Sequence, residues 1–214
     1  DAQESRGLGD VYKRQTLTIE DMGSDGEGIG KVDGFTLFIK DAVIGDQVEA
    51  KIIKSKKHYA YARLEKVLQP SPFRVEPKCA YHRQCGGCQL QNLSYPEQLH
   101  LKQATAIRLL GRFGHVEEIL GMDDPYHYRN KVQAAFGVNR QGQIISGVYQ
   151  SASPHIAPVS ACLIEDKVAD RINVTIRKLL KSFKIRPYDE DTGRGTLRHV
   201  LVRRGWRSGE ILVV

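Results

Sequence analysis

The chain has 214 residues, 41% of them hydrophobic, and a formal net charge of +7. That charge points to an acidic partner, with nucleic acid the commonest and an anionic membrane surface the rival. No run approaches the roughly 20 apolar residues of a spanning helix, and the amino terminus lacks the apolar core of a secretory signal; the expected compartment is the cytoplasm, where thiols stay reduced.

Residues 1–15, "DAQESRGLGDVYKRQ", are polar and aperiodic, and are set apart as a disordered or artefactual tail. From Thr16 short alternating runs are punctuated by glycine. TLTIE, FTLFIK, the segment around "AVIGDQVEAKII" and YAYARLEKVL predict four strands of a small OB-like barrel over residues 16–69. GSDGEGIG between the first two reads as a barrel turn and not a phosphate loop, since no Gly-Lys-Ser/Thr follows. "LQPSPFRVEPKC", with three prolines in eight residues, reads as a stiff linker or domain edge. Residues 70–214 are expected to form a second, α+β domain.

In that second part "SYPEQLHLKQATAIRLLGRFG" predicts a helix with Ser94 and Glu97 as a capping box, Pro96 in its first turn and Gly114 at its stop. Leu99, Ala106, Ile107 and Leu110 share one face. "YHYRNKVQAAFGV" and "QIISGVYQ" predict strands around a turn at 139–142. A helix follows from about Glu165 to Phe183, with Val168, Ile172, Ile176, Leu179 and Phe183 at helical spacing. "TLRHVLVRRGW" and "EILVV" predict a closing hairpin. A chain that stops inside an apolar strand is expected to be the amino-terminal part of a longer protein.

The chemistry concentrates in "CAYHRQCGGCQLQ". Cys79, Cys85 and Cys88 fall within ten residues, and Cys162, the remaining cysteine, lies far downstream. A reducing compartment disfavours disulfides. The flanking Lys, His, Arg and Gln disfavour simple apolar burial of the thiols. Metal binding remains. A four-thiolate zinc site usually uses two short cysteine pairs, whereas iron–sulfur clusters accept three local thiolates and one remote thiolate more readily. The cluster is therefore favoured and zinc stays open. Gly86 and Gly87 would let backbone N–H groups approach the sulfurs.

Three stretches combine cations with aromatics, as nucleic-acid surfaces do. They offer Lys54, Lys56, Lys57 and His58; then Tyr128, Arg129, Asn130 and Lys131; then Arg198 and His199. A solvated strand face explains each stretch without function.

Taken together, the glycine-rich segment "IEDMGSDGEGIGKVDGFTLFIKDAVIGDQVEAKI" resembles a TRAM domain, an OB-like RNA-binding module. "CAYHRQCGGCQLQNLSYPEQLHLKQ", "YHYRNKVQ" and "LRHVLVRRG" resemble bacterial 23S rRNA (uracil-5-)-methyltransferases in the same order along residues 16–214. That resemblance implies a [4Fe–4S] cluster on Cys79, Cys85, Cys88 and Cys162. It implies methyl transfer from S-adenosylmethionine to C5 of a uridine in 23S ribosomal RNA, by attack of a cysteine thiolate on C6 of the flipped base. It places the nucleophile, base and methyl-donor pocket in a carboxy-terminal Rossmann-like domain beyond this chain. The expected protein is thus a monomeric RNA- and cluster-binding fragment, inactive alone and with neither a DNA nor a membrane partner. The rival readings are a radical iron–sulfur RNA-modifying protein and a non-catalytic RNA-binding protein with a structural four-cysteine metal site.

Overall fold

A computed structural model describes residues 14–151 and 153–214. Apart from Arg14 and Gln15, the tail set aside at residues 1–15 lies outside the described residues. Those two residues open strand β1 (Arg14–Met22), where Arg14 pairs with Lys51 and Gln15 with Ala50.

The barrel has five strands where four were expected: β1, β2 (Gly28–Val32), β3 (Phe35–Lys40), β4 (Gln47–Ser55) and β5 (Tyr59–Gln69). They close in the order β1-β2-β3-β5-β4, the OB-like arrangement, with β3 and β5 parallel. The extra strand is the end of the glycine-rich stretch that reads as a turn. Its glycines permit close approach. A Cβ on Gly30 would lie 2.6 Å from the Thr18 carbonyl oxygen and 2.7 Å from Leu17 Cδ1. Glycine's weak strand preference hides β2 in the sequence, because the barrel selects for its missing side chain. Leu17, Ile19, Leu37, Ile39, Val48, Ala50, Ala60 and Ala62 fill the interior by strict alternation.

Contacts divide the described chain into two compact units. One takes residues up to 78 together with 89–121; the other takes 79–88 together with 122–214. This division departs from a boundary at 69/70, for a physical reason. Asp46 is fully buried and gathers the proline-rich segment onto the barrel: its carboxylate accepts from the Ser71 N–H at 2.9 Å and from Arg74 Nε at 3.0 and 3.1 Å. Arg74 also donates to the Asp41 carbonyl at 2.8 Å. The expected stiff segment is clamped to the barrel at this point.

Helix α1 (Tyr95–Leu110) belongs to the same unit. Its expected capping box does not form. Ser94 makes no side-chain cap bond, and Gln98 instead donates to the carbonyls of Leu90 and Leu93 at 3.0 and 2.8 Å. The helix closes at Gly111, before Gly114. The expected apolar face is not sealed either. Ile107 and Leu110 are half exposed, and it is Leu101 that packs beside Met22, Val43 and Leu93.

The second unit is an antiparallel sheet in the order β10-β9-β6-β7-β8, made from β6 (Lys131–Val138), β7 (Ile144–Tyr149), β8 (Ile156–Pro158), β9 (His199–Arg204) and β10 (Ile211–Val213). Helix α2 (Lys167–Ser182) covers one face. Asp166 caps it by accepting from the Val168 and Ala169 N–H groups at 2.8 and 3.1 Å. Its buried stripe is Ala169, Ile172, Ile176 and Leu180, against Val132, Ala134, Phe136, Val200 and Val202. Leu179 and Phe183 from the expected stripe are exposed. Among the described residues, no helix is long and apolar enough to cross a membrane.

Candidate metal centre and nucleic-acid faces

All four cysteines fall in the second unit, are free thiols, and are half-buried. The three local ones lie in a compact run of turns: the N–H of His82 bonds to the Cys79 carbonyl at 3.1 Å, and the N–H groups of Gln84 and Cys85 bond to the Tyr81 carbonyl at 2.9 and 2.8 Å. Cys85 pairs with Gln150 through an isolated bridge next to the end of β7. The approach is close: a Cβ at Gly86 would sit 3.0 Å from the Ser151 nitrogen, so the neighbour would have to give by a few tenths of an ångström. Gly87 donates its N–H to Cys85 Sγ at 3.3 Å.

Cys162 sits just before α2. Its N–H donates to Asp170 Oδ2 at 2.8 Å. Burial pushes the thiol up to about 11, with Glu165 and Asp170 adding to it and the backbone N–H groups of Ile164 and Glu165 opposing it. Burial, with Asp170 alongside, pushes Glu165 up to about 7, and burial raises Asp170 as well. The acidic pair went unremarked in the sequence, although three acids fall within the eight residues after Cys162.

The loop carrying Cys162 is held by the motif at 127–130. His127 and Arg129 donate backbone N–H groups to the carbonyls of Leu163 and Ile164 at 2.8 and 2.9 Å. Asp166 returns an N–H to the Arg129 carbonyl at 3.1 Å, and Arg204 donates its N–H to the Asn130 carbonyl at 2.9 Å. His127 takes a positive φ of 51° to enter this arrangement. The expected strand over 126–130 is therefore an irregular zipper, and β6 begins only at Lys131.

The donor chemistry fits a thiolate-bound metal: four thiols in one unit, Cys85 among them with a backbone N–H aimed at its sulfur. The arrangement is not converged, however, for among the described residues no group of three or more His, Cys, Asp and Glu side chains is placed as a metal-ligand set.

The expected nucleic-acid residues separate into different surroundings. Lys54 is exposed on β4, and Lys56, Lys57 and His58 are exposed at the β4–β5 turn. Tyr128, Arg129 and Asn130 expose side chains from the zipper. Lys131 and His199 lie on the sheet face opposite α2, with Gln133, Tyr149 and Arg203 as neighbours by register. Tyr149 Oη and His199 Nε2 are 3.3 Å apart. Strand alternation places Arg198 on the other face from His199, where it pairs with Glu190. Tyr149 was missed as a neighbour on this face; the signal available was alternation along β7.

Residues 10–64 match the TRAM domain family, so that match begins inside the segment set aside as a tail. Over most of its length the chain is similar to proteins named RNA methyltransferases. It is 43% identical over 205 residues to an uncharacterized RNA methyltransferase of Clostridium acetobutylicum, covering 92% of this chain and 44% of that protein. It is 43% identical over 210 residues to another from Clostridium tetani, covering 95% and 45%. The crystal structure of Pyrococcus abyssi tRNA (uracil-54, C5)-methyltransferase in complex with S-adenosyl-L-homocysteine shares the fold, at a TM-score of 0.69 and 22% identity, over 93% of this chain and 45% of that one. The chain spans about half the length of the curated relatives it matches.

Proposed function

We propose that this chain is the RNA-recognition and iron–sulfur part of an S-adenosylmethionine-dependent methyltransferase acting on C5 of uridine in 23S ribosomal RNA. The carrying observation is that similarity to RNA methyltransferases extends over 92% of the chain, through the barrel and the cysteine unit together. The TRAM match over residues 10–64 supports an RNA partner. Cys79, Cys85, Cys88 and Cys162 would hold a [4Fe–4S] cluster, which when bound would cross-link the cysteine loop to the start of α2. The N–H groups of Gly87, Ile164 and Glu165 would hydrogen-bond to the ligating sulfurs, and the zipper at 127–130 would hold the Cys162 loop in place. These four are the chain's whole cysteine complement. A thiolate nucleophile for C6 would then come from the part of the enzyme corresponding to the rest of the relatives' length.

The test has two arms. The chain alone, incubated with S-adenosylmethionine and 23S ribosomal RNA, should form no 5-methyluridine. Joined to the remaining portion of a relative, it should methylate uridine C5 in 23S RNA, read by nucleoside mass spectrometry. Product made by the chain alone, or methylation confined to transfer RNA, would contradict the proposal.

A further inference from the structure

Three aromatic rings meet on the outer wall of the barrel. Phe38 of β3 and Tyr59 of β5 have centroids 5.6 Å apart, Phe38 and Tyr61 5.9 Å, and Tyr59 and Tyr61 5.6 Å. The parallel register makes the cluster, since it pairs Thr36 with Tyr59 and Phe38 with Tyr61. Leu37, Ile39, Ala60 and Ala62 on the same strands fill the interior, so the three rings face outward. Tyr61 remains 38% exposed.

Cations surround the rings. Lys54 pairs with Tyr61 across β4–β5, Lys31 lies beside Thr36, and Lys56 and Lys57 occupy the turn that leads into Tyr59. Towards the other end Arg63 is occupied by Glu65, at 2.9 and 2.7 Å. The Tyr61 hydroxyl is held above its usual range, first by its hydrogen bond with Tyr59 and further by Glu27 and Asp25. Cations thus flank the rings on both sides, since Lys40 and Lys51 pair with Arg63 beyond Tyr61, while the carboxylates Asp25 and Glu27 act on Tyr61.

We propose that Phe38, Tyr59 and Tyr61 form a stacking platform for unpaired bases of a single RNA strand, whose phosphates run over Lys31, Lys54 and the Lys56–Lys57 turn and away from Asp25 and Glu27. This rests on the RNA-recognition reading above and adds which surface takes the strand, and in which state. Base faces are available for stacking only where the strand is unpaired. Aromatic rings beside a cationic track are the usual means of holding it. The competing role for the trio is cross-strand packing that merely stabilises the β3–β5 pairing.

The probes are a fluorescein-labelled oligouridylate and a fully paired RNA hairpin of equal length, followed by anisotropy on the full chain. The parent should prefer the single strand. Phe38→Leu and Tyr61→Leu keep apolar bulk on the strands and should each weaken single-strand binding about tenfold. Lys54→Gln should reduce the salt slope by about one phosphate. Asp25→Asn with Glu27→Gln, in the β1–β2 turn, should tighten binding several-fold. Leucine variants that melt with the parent and bind as tightly as it does would overturn the platform and leave RNA recognition standing. If they melt lower, the turn variant decides, and unchanged affinity there overturns the platform. A parent that binds neither probe would overturn both readings.

Discussion

The Arg74 guanidinium lies against the Asp46 carboxylate, with Nε 3.0 and 3.1 Å from its two oxygens, and anchors the segment after β5 to the barrel. Asp46 is fully buried. Replacing Arg74 would leave that charge without its cation. We expect Arg74→Leu to destabilise the barrel by about 3 kcal/mol in urea unfolding, because a buried carboxylate stripped of its partner bears its full desolvation cost.

The same pair sets a pH dependence. Burial alone would raise Asp46, but Arg74 and the backbone N–H groups of Ser71 and Val43 outweigh it and hold the carboxyl below its ordinary value. A lowered folded-state value contributes stability above the unfolded pKa and loses it as pH falls through the folded one. The stability gap between parent and Arg74→Leu should therefore be widest near neutrality. It should narrow below about pH 4. Denaturant titrations at a series of pH values would show this; a gap that widens on acidification would contradict it.

Gly30→Ala should also weaken the barrel. Its Cβ would come 2.6 Å from the Thr18 carbonyl oxygen, so β1 or β2 must shift. We expect a loss of about 1–3 kcal/mol, typical of overpacking in a closed core. Alanine at Gly34 makes the control for space, since nothing lies within 4 Å there, although its φ of 79° adds backbone strain of its own.

Gly86→Ala probes the cysteine loop without touching a thiol. The added methyl would sit 3.0 Å from the Ser151 nitrogen and 3.1 Å from its Cα, and should push the loop from the end of β7. On the cluster reading, iron uptake on anaerobic reconstitution should fall while the barrel's unfolding midpoint stays at the parent value. Parent-level iron uptake would mean that the close approach has no part in building the site.

What the sequence made legible follows the strength of its local patterns. Alternation in TLTIE, FTLFIK and YAYARLEKVL exposed three barrel strands, because each buries one face only. Gly28–Val32 was hidden, since the feature that lets β2 pack so close is the absence of side chains. The α2 stripe keeps the expected Ile172 and Ile176 but takes in Leu180, while Leu179 and Phe183 stay exposed. Asp46 and Arg74 are 28 residues apart, and no local pattern announces a partnership at that range. The cysteines were conspicuous by spacing. The backbone donors around Cys162 were not, because they depend on how 127–130 zips onto 163–166.

On the proposed function, Cys162 completes a centre begun by Cys79, Cys85 and Cys88. The direct measurement is iron and sulfide per chain after anaerobic reconstitution of the parent and of Cys162→Ser, with circular dichroism to confirm that both are folded. The account predicts a brown parent with about four irons per chain and a variant that loses most of that iron. A folded Cys162→Ser chain carrying the parent's full complement would contradict it.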